Sequence, residues 1–380
     1  MDRRALLLTP ALLGLASTGA GAADAPPPNG QAAAPGKADG TGWRRFEVTT
    51  RVTLTDPEGT HTGGTNTGGT HTGGAAQLWL PLVQTAGGYQ LRQALRCEAG
   101  GQAAVVRDAQ YGAEVLRVEW AADSPAPRTA EVVQTVATRD RTGGEAALPL
   151  TAAERRFWLQ PTESVPVDGI VRDTAERIVA GRTAPRDRLR AIYDWVVDNT
   201  SRNPDTPGCG LGDVRAMLES GNLSGKCADI NGLMTGLARA AGLPARDVYG
   251  IRVAASRQFR TLGASGDVSK AQHCRSEVFL EDTGWFPIDP ADVRKVVLEH
   301  KLALDSEPVS ALREQLFGNW EMNWVGYNSA TDIELPGSLA GQRPNFAFLM
   351  YPCAFTAAGQ PDCLDPAHFQ YAITAREIAA

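Results

Sequence analysis

Ser224-Gly225-Lys226-Cys227-Ala228-Asp229-Ile230-Asn231-Gly232-Leu233-Met234 leads into Leu237-Ala238-Arg239-Ala240-Ala241-Gly242-Leu243-Pro244-Ala245-Arg246, and this stretch decides the fold. Leu233, Leu237, Ala240 and Ala241 recur at helical spacing, and Gly242 with Pro244 ends the helix. Cys227 therefore falls in the first turn of a largely buried helix. Backbone N–H groups at that end point outward, and their partial positive charge favours a thiolate. A nucleophile gains from such a place; a cysteine kept for packing does not.

Working outward towards the C-terminus, Gln272-His273-Cys274-Arg275-Ser276-Glu277-Val278-Phe279-Leu280 and Gly284-Trp285-Phe286-Pro287-Ile288-Asp289-Pro290 flank a turn at Asp282-Thr283-Gly284. They read as two antiparallel strands. His273 starts one and Asp289 ends the other, which sets them side by side across a hairpin. An imidazole there can take the thiol proton, and the carboxylate can fix its tautomer and support the imidazolium. Cys227, His273 and Asp289 are thus the candidate catalytic residues. The backbone N–H of Cys227 is one candidate oxyanion donor, with Asn203 and Asn222 both open as the second.

The neighbours have blander readings. Cys274 points to the other side of its strand, hence buried or paired. Asp229 braces the helix start. Arg275 and Glu277 face the same way as His273, and either bind a charged substrate group or form structural ion pairs. His300 and His368 have no comparable motif beside them and default to the surface.

Towards the N-terminus, helical spacing over Asp168 to Ala180 and Pro185 to Asn199 puts Leu189, Ile192, Trp195 and Val196 on one face, so Trp195 reads as core. Residues 43–150 alternate with period two, as in Phe46 to Leu54, Gln77 to Val83, Glu114 to Trp120 and Glu131 to Thr138. With Gly-rich gaps between them, these runs indicate an antiparallel β-sandwich with a structural or recognition role. A Thr-His-Thr-Gly-Gly type repeat over 60–74 reads as an expanded loop, since a flexible chain loses much entropy in organising a metal site. Residues 23–42 have the Ala/Pro/Gly composition of a linker.

Arg3-Arg4, the apolar run Ala5 to Ala16 and Ala20-Gly21-Ala22 read as a signal peptide over 1–22, for the twin-arginine or the general secretory route. A periplasmic or secreted protein follows. No later stretch approaches the roughly 18 apolar residues of a membrane span, so no stable membrane insertion is expected. The six cysteines fit an oxidising compartment, and Cys353 and Cys363 are close enough in sequence to staple the C-terminal segment. Neither Cys-x-x-Cys nor His-Glu-x-x-His is present, and no acidic cluster has calcium-loop spacing, so no metal or other cofactor is expected. A net charge of −6 argues against nucleic acid as a partner, and the basic run Arg182 to Arg190 is broken by Ala, Pro and Asp, as on a solvated helix start.

From about Thr183 to Val293 the chain resembles the bacterial transglutaminase-like superfamily. Gly225-Lys226-Cys227-Ala228-Asp229 stands for its nucleophile motif and Ala238 to Arg246 for the end of the following helix. His273 and Gly284 to Asp289 stand for its histidine and aspartate motifs. The β-rich N-terminal half and Phe317 to Pro352 resemble exported members with this layout. The family often has an aromatic residue two positions after the histidine, where this chain has Arg275. The resemblance implies an α+β fold: the N-terminal sandwich, then a transglutaminase-like (papain-like) core of helix and antiparallel sheet, with a C-terminal extension, over 151–380. It also implies acyl transfer on amide bonds through a Cys227 thioester. Hydrolysis, as by a peptidase or amidase, is favoured over transamidation because water is abundant and no residue pattern marks an amine channel. The expected substrate is a protein, peptide or peptidoglycan amide, with a protein partner for the β domain as a further option. The alternative is a non-catalytic binding or scaffold module of the cell envelope.

Overall fold

The computed structural model describes residues 5–7, 42–55, 74–86, 88–143, 149–339, 342–344 and 346–379. The signal peptide (except residues 5–7), the linker (except Gly42) and the pentapeptide repeat (except Gly74) lie outside the described residues. Alternating apolar residues produce the N-terminal strands β1 (Trp43–Thr53), β2 (Ala76–Pro81), β3 (Gln90–Ala99), β4 (Gln102–Arg107), β5 (Glu114–Trp120) and β6 (Thr129–Arg139). Phe46, Val48 and Val52 of β1 and Val132 and Val136 of β6 alternate into the interior, as period two requires. One sheet runs β3-β6-β1 and the other β2-β5-β4. Ala5–Leu7 lies antiparallel along Arg96–Glu98 at the edge of the first.

The chain then turns helical: α1 (Ala152–Leu159), α2 (Ile170–Val179), α3 (Pro185–Asn199), α4 (Val214–Ser220) and α5 (Cys227–Ala240). Leu189, Ile192 and Val196 of α3 are fully buried, while Trp195 is half-buried against the same core. The core sheet follows as β7 (Ala245–Arg252), β8 (Gln272–Leu280) and β9 (Gly284–Ile288), joined by α6 (Pro290–Glu299), α7 (Glu307–Gln315) and β10 (Trp324–Asn328). Its order is β9-β8-β7-β10, antiparallel throughout. All nine residues of β8 are buried, because α5 covers one face and Trp320 and Trp324 lie over the other. Gly250 of β7 sits where the β7–β10 register shifts, and a side chain there would collide with the Val325 carbonyl and the Trp324 ring.

The fold is therefore α+β, an antiparallel sandwich followed by a helix-plus-antiparallel-sheet core. The C-terminal segment supplies strands to the sandwich: β11 (Cys353–Phe355) pairs with β2, and β12 (Tyr371–Ile378) pairs with β1 along its length. All six cysteines are buried, and Cys353 and Cys363 form no disulfide with one another. Among the described residues no helix is long and apolar enough to cross a membrane.

Candidate active site

Cys227 is the first residue of α5 and is 3% exposed. Its position is set by Asp229, whose Oδ2 accepts the Lys226 N–H at 2.9 Å while Oδ1 accepts the Leu211 and Gly212 N–H groups at 3.0 and 2.9 Å. One carboxylate thus caps the helix start and ties the 209–212 loop to it. Side chains at Gly210 (φ +93°) or Gly225 would run into that carboxylate, so both must be glycine. The same loop brings Cys209 alongside: its carbonyl accepts the Ala228 N–H at 2.9 Å, and its Sγ lies 3.3 Å from the Gln272 carbonyl, which shares the single thiol proton with Cys227. On β8, Cys274 faces α5, where Asn231 Nδ2 donates to its carbonyl at 2.8 Å.

Three thiols therefore converge on the helix start. Hydrogen bonds from Cys209, then from Cys274, hold the Cys227 thiol well below its ordinary range, and the neighbouring His273 adds to this against the opposing effect of burial. Cys209 is pushed well up by giving its hydrogen bond to Cys227 and by burial; Cys274 is pushed well up by burial first. The thiolate belongs on Cys227, which alone of the three has both the helix terminus and the imidazole.

His273, the second residue of β8, is 3% exposed. Its Nε2 meets Asp289 Oδ2 at 2.7 Å, which leaves Nδ1 for Cys227. Asp289 follows β9 and caps α6, its Oδ1 accepting the Asp292 N–H at 3.2 Å. Burial and then Arg252 work against the imidazolium, but Asp292 and Asp289 outweigh them and the His273 pKa rises. Burial, followed by repulsion from Asp292, raises Asp289. Asp292 lies 3.5 Å from His273 Nε2; burial opposes its charge, yet Arg252 at 2.6 Å holds its carboxyl far below the ordinary range. A raised imidazole beside a lowered thiol is the condition for a thiolate–imidazolium pair.

Asn231, Arg252 and Asp292 are parts of this arrangement that the sequence reading missed. Asn231 Nδ2 reaches Asp289 Oδ1 at 3.3 Å, and its place one helical turn after Cys227 was a usable signal. Arg252 and Asp292 carried none, since only the tertiary fold sets them together. His273, Asp289 and Asp292 bring potential ligand atoms within 4.8 Å of one another. Their carboxylates already face buried guanidinium groups, Arg252 at 2.6 Å and Arg275 at 3.6 Å, so a metal ion would enter against positive charge.

Arg275 and Glu277 make structural contacts. Arg275 stacks over Trp324 and Trp320 at 4.8 and 5.7 Å and donates to the Glu321 carbonyl at 3.0 Å. The aromatic surface beside the histidine thus comes from the β10 region rather than from position 275. Glu277 is buried between Arg246, at 2.5 Å, and Arg141 of the sandwich. Asn203 and Asn222 are spent on turns, accepting from Asp205 N and from Ser224 N, and neither lines the cavity over Cys227. The Cys227 N–H makes no hydrogen bond among the described residues, and Tyr351 lines the same cavity with its hydroxyl beside Cys209. Thr261 Oγ1 meets exposed His300 at 3.2 Å, and exposed His368 pairs with Asp365 at 2.5 Å, both away from the site.

The sequence profile of the Transglutaminase-like superfamily matches residues 172–290, a span that holds Cys227, His273 and Asp289. The chain belongs to that superfamily. An uncharacterised protein of Haemophilus influenzae is 33% identical over 354 residues, covering 88% of this chain and 91% of its own. The crystal structure of a candidate cysteine protease from Cytophaga hutchinsonii superposes with a TM-score of 0.52 at 12% identity, over 89% of this chain and 92% of that one. That likeness is one of fold. At the level of the superfamily, the fold is associated with thiol-dependent enzymes.

Proposed function

We propose that this transglutaminase-like protein is an exported enzyme that transfers the acyl group of an amide through a thioester on Cys227, to water in preference to an amine. The observation that carries the reading is the helix-start thiol with a buried imidazole–carboxylate pair beside it. The Cys227 thiolate attacks the amide carbonyl carbon, and the oxyanion takes the Cys227 N–H and the Tyr351 hydroxyl as donors. His273, as imidazolium, gives its proton to the departing amine, and the carbon–nitrogen bond breaks to leave a thioester. Neutral His273 then takes a proton from water as it attacks, and the carboxylic acid leaves as the thiolate reforms. Asp289, held by Asn231, keeps the His273 proton on Nε2. The donor is an amide in protein, peptide or peptidoglycan. Export rests on the sequence of residues 1–22.

The test is site-resolved labelling of the thiols with iodoacetamide between about pH 4 and 9. Cys227 is expected to react well below neutral pH, with His273→Ala moving its profile upward. A Cys227 that stays unreactive until about pH 8.5, the range of an ordinary thiol, would sink the reading and leave the fold as a binding scaffold.

A further inference from the structure

The route to Cys227 is a cavity of about 420 Å³ whose charge is one-sided. Arg202, Lys226, Arg252, Lys270 and Lys295 line it, and no aspartate or glutamate does so among the described residues. This concentration of cations occurs in a chain whose net charge is −6. Arg252 is committed to Asp292 at 2.6 Å. Arg202 and Lys295 share a single acid, Glu299, at 3.6 and 3.9 Å. Lys226, next to the nucleophile, and Lys270 make no ion pair among the described residues. Fixed cations that are under-compensated inside a concave, partly desolvated site attract an anion more strongly than the same charges spread over a surface.

We infer that the acyl donor is anionic, a peptide that places a free carboxylate beside the scissile amide, where Lys226, Lys270, Arg202 and Lys295 receive it. The inference rests on the thioester reading above and adds the substrate class to it. A carboxylate is the anion a peptide itself carries, whether on an acidic side chain or at its C-terminus, so recognition needs no further group on the donor. Lys295 supports the same view. Burial, then the neighbouring Arg252, push its ammonium down to about 8 although Asp292 and Glu299 oppose this; an anion in the cavity would remove the strain of gathered positive charge. The charge also discriminates: a donor with a cationic residue at that place meets repulsion from several directions.

Iodoacetate and iodoacetamide deliver the same carbon with the same leaving group and differ in charge, so their rates at Cys227, resolved by mass spectrometry at neutral pH, test the inference. The iodoacetate to iodoacetamide rate ratio is expected to exceed that of free glutathione by about tenfold or more in dilute buffer, in line with electrostatic focusing. It should collapse towards the glutathione value in high salt. The Lys226→Gln, Lys270→Gln double variant should do the same. A ratio equal to that of glutathione, or one that neither salt nor the double variant moves, overturns the inference while leaving the nucleophile intact. Failure of Cys227 to react with either reagent overturns the thioester reading and this one with it. Protection against iodoacetamide then locates the carboxylate, using amidated tri-glutamate, tri-glutamine with a free C-terminus, and amidated tri-glutamine. Protection by the first places it on a side chain and by the second at the chain end; equal protection by the third overturns the inference.

Discussion

At the residue scale the site is a competition among three sulfur atoms for one negative charge. The helix start and His273 favour Cys227, but the largest lowering of its pKa comes from Cys209, followed by Cys274. Losing a hydrogen bond to a charged group costs about 1.5–3 kcal/mol, a factor of roughly ten or more in thiolate population. Cys209→Ala is therefore expected to slow labelling of Cys227 at mildly acidic pH by about tenfold, and to do so more than Cys274→Ala. Rates for either variant equal to wild type would show that these thiols only pack. Tyr351 has a separate role. Burial, and then the nearby Cys209, keep its hydroxyl protonated, so it remains a donor across the working pH range. Once a substrate is found, Tyr351→Phe should lower kcat by about a hundredfold, the usual effect of removing one oxyanion donor, while KM changes little. An unchanged kcat would leave the Cys227 N–H without this partner.

At the element scale, the helix carrying Cys227 and the hairpin carrying His273 and Asp289 were legible in the sequence because each is set by local periodicity and punctuation: Leu233 and Leu237 at helical spacing, Gly242 and Pro244 as the stop, Asp282-Thr283-Gly284 as the turn. What surrounds them was not. Arg275 and Glu277 alternate with His273 as read, but which groups they meet depends on Arg141, the Glu321 carbonyl and the tryptophans, none of them near in sequence. The Glu277 cluster pins β8 to the sandwich, since Arg141 reaches both Glu277 and, at 2.6 Å, the Trp285 carbonyl. Removing Glu277 strands the buried Arg141 guanidinium, so Glu277→Gln should destabilise the fold by about 3–5 kcal/mol. Burial opposes the Glu277 charge, but Arg141 and then Arg246 outweigh it and hold the carboxyl below its ordinary range. Its stabilising contribution is thus full above the unfolded value of about 4.3 and is lost as pH falls through the lower folded value. Urea melts at a series of pH values should show Glu277→Gln losing part of the wild-type acid limb; parallel curves would mean that Glu277 titrates alike in both states.

At the scale of the whole molecule, the chain's last strand joins the sandwich to the wall of the site, a link no local pattern in Tyr371-Ala372-Ile373-Thr374 discloses. β12 pairs with β1 from Tyr371 opposite Val52 to Ile378 opposite Arg45, and Arg44 clasps Glu377 with two bonds of 2.8 Å. Its other edge holds Gly266–Asp267, and the Val268 N–H donates to the Ile373 carbonyl at 2.8 Å. Ser269 Oγ accepts the Ile373 N–H at 2.8 Å and donates to Asp267 Oδ1 at 2.6 Å. From there Ser269, Lys270, Ala271 and Gln272 run along the cavity directly into His273, and Tyr371 itself lines the opening. The sandwich therefore fixes the cationic wall and the start of the strand that carries the imidazole. Ser269→Ala leaves the buried Ile373 N–H without its acceptor, at a cost of about 1–3 kcal/mol, without touching the core. It should lower Tm by a few degrees and change the rate of Cys227 alkylation severalfold, while circular dichroism still reports the native strand content. If Tm falls but alkylation is unchanged, the last strand serves stability alone and the wall is held by β8; if neither moves, the Ser269 contact carries no load.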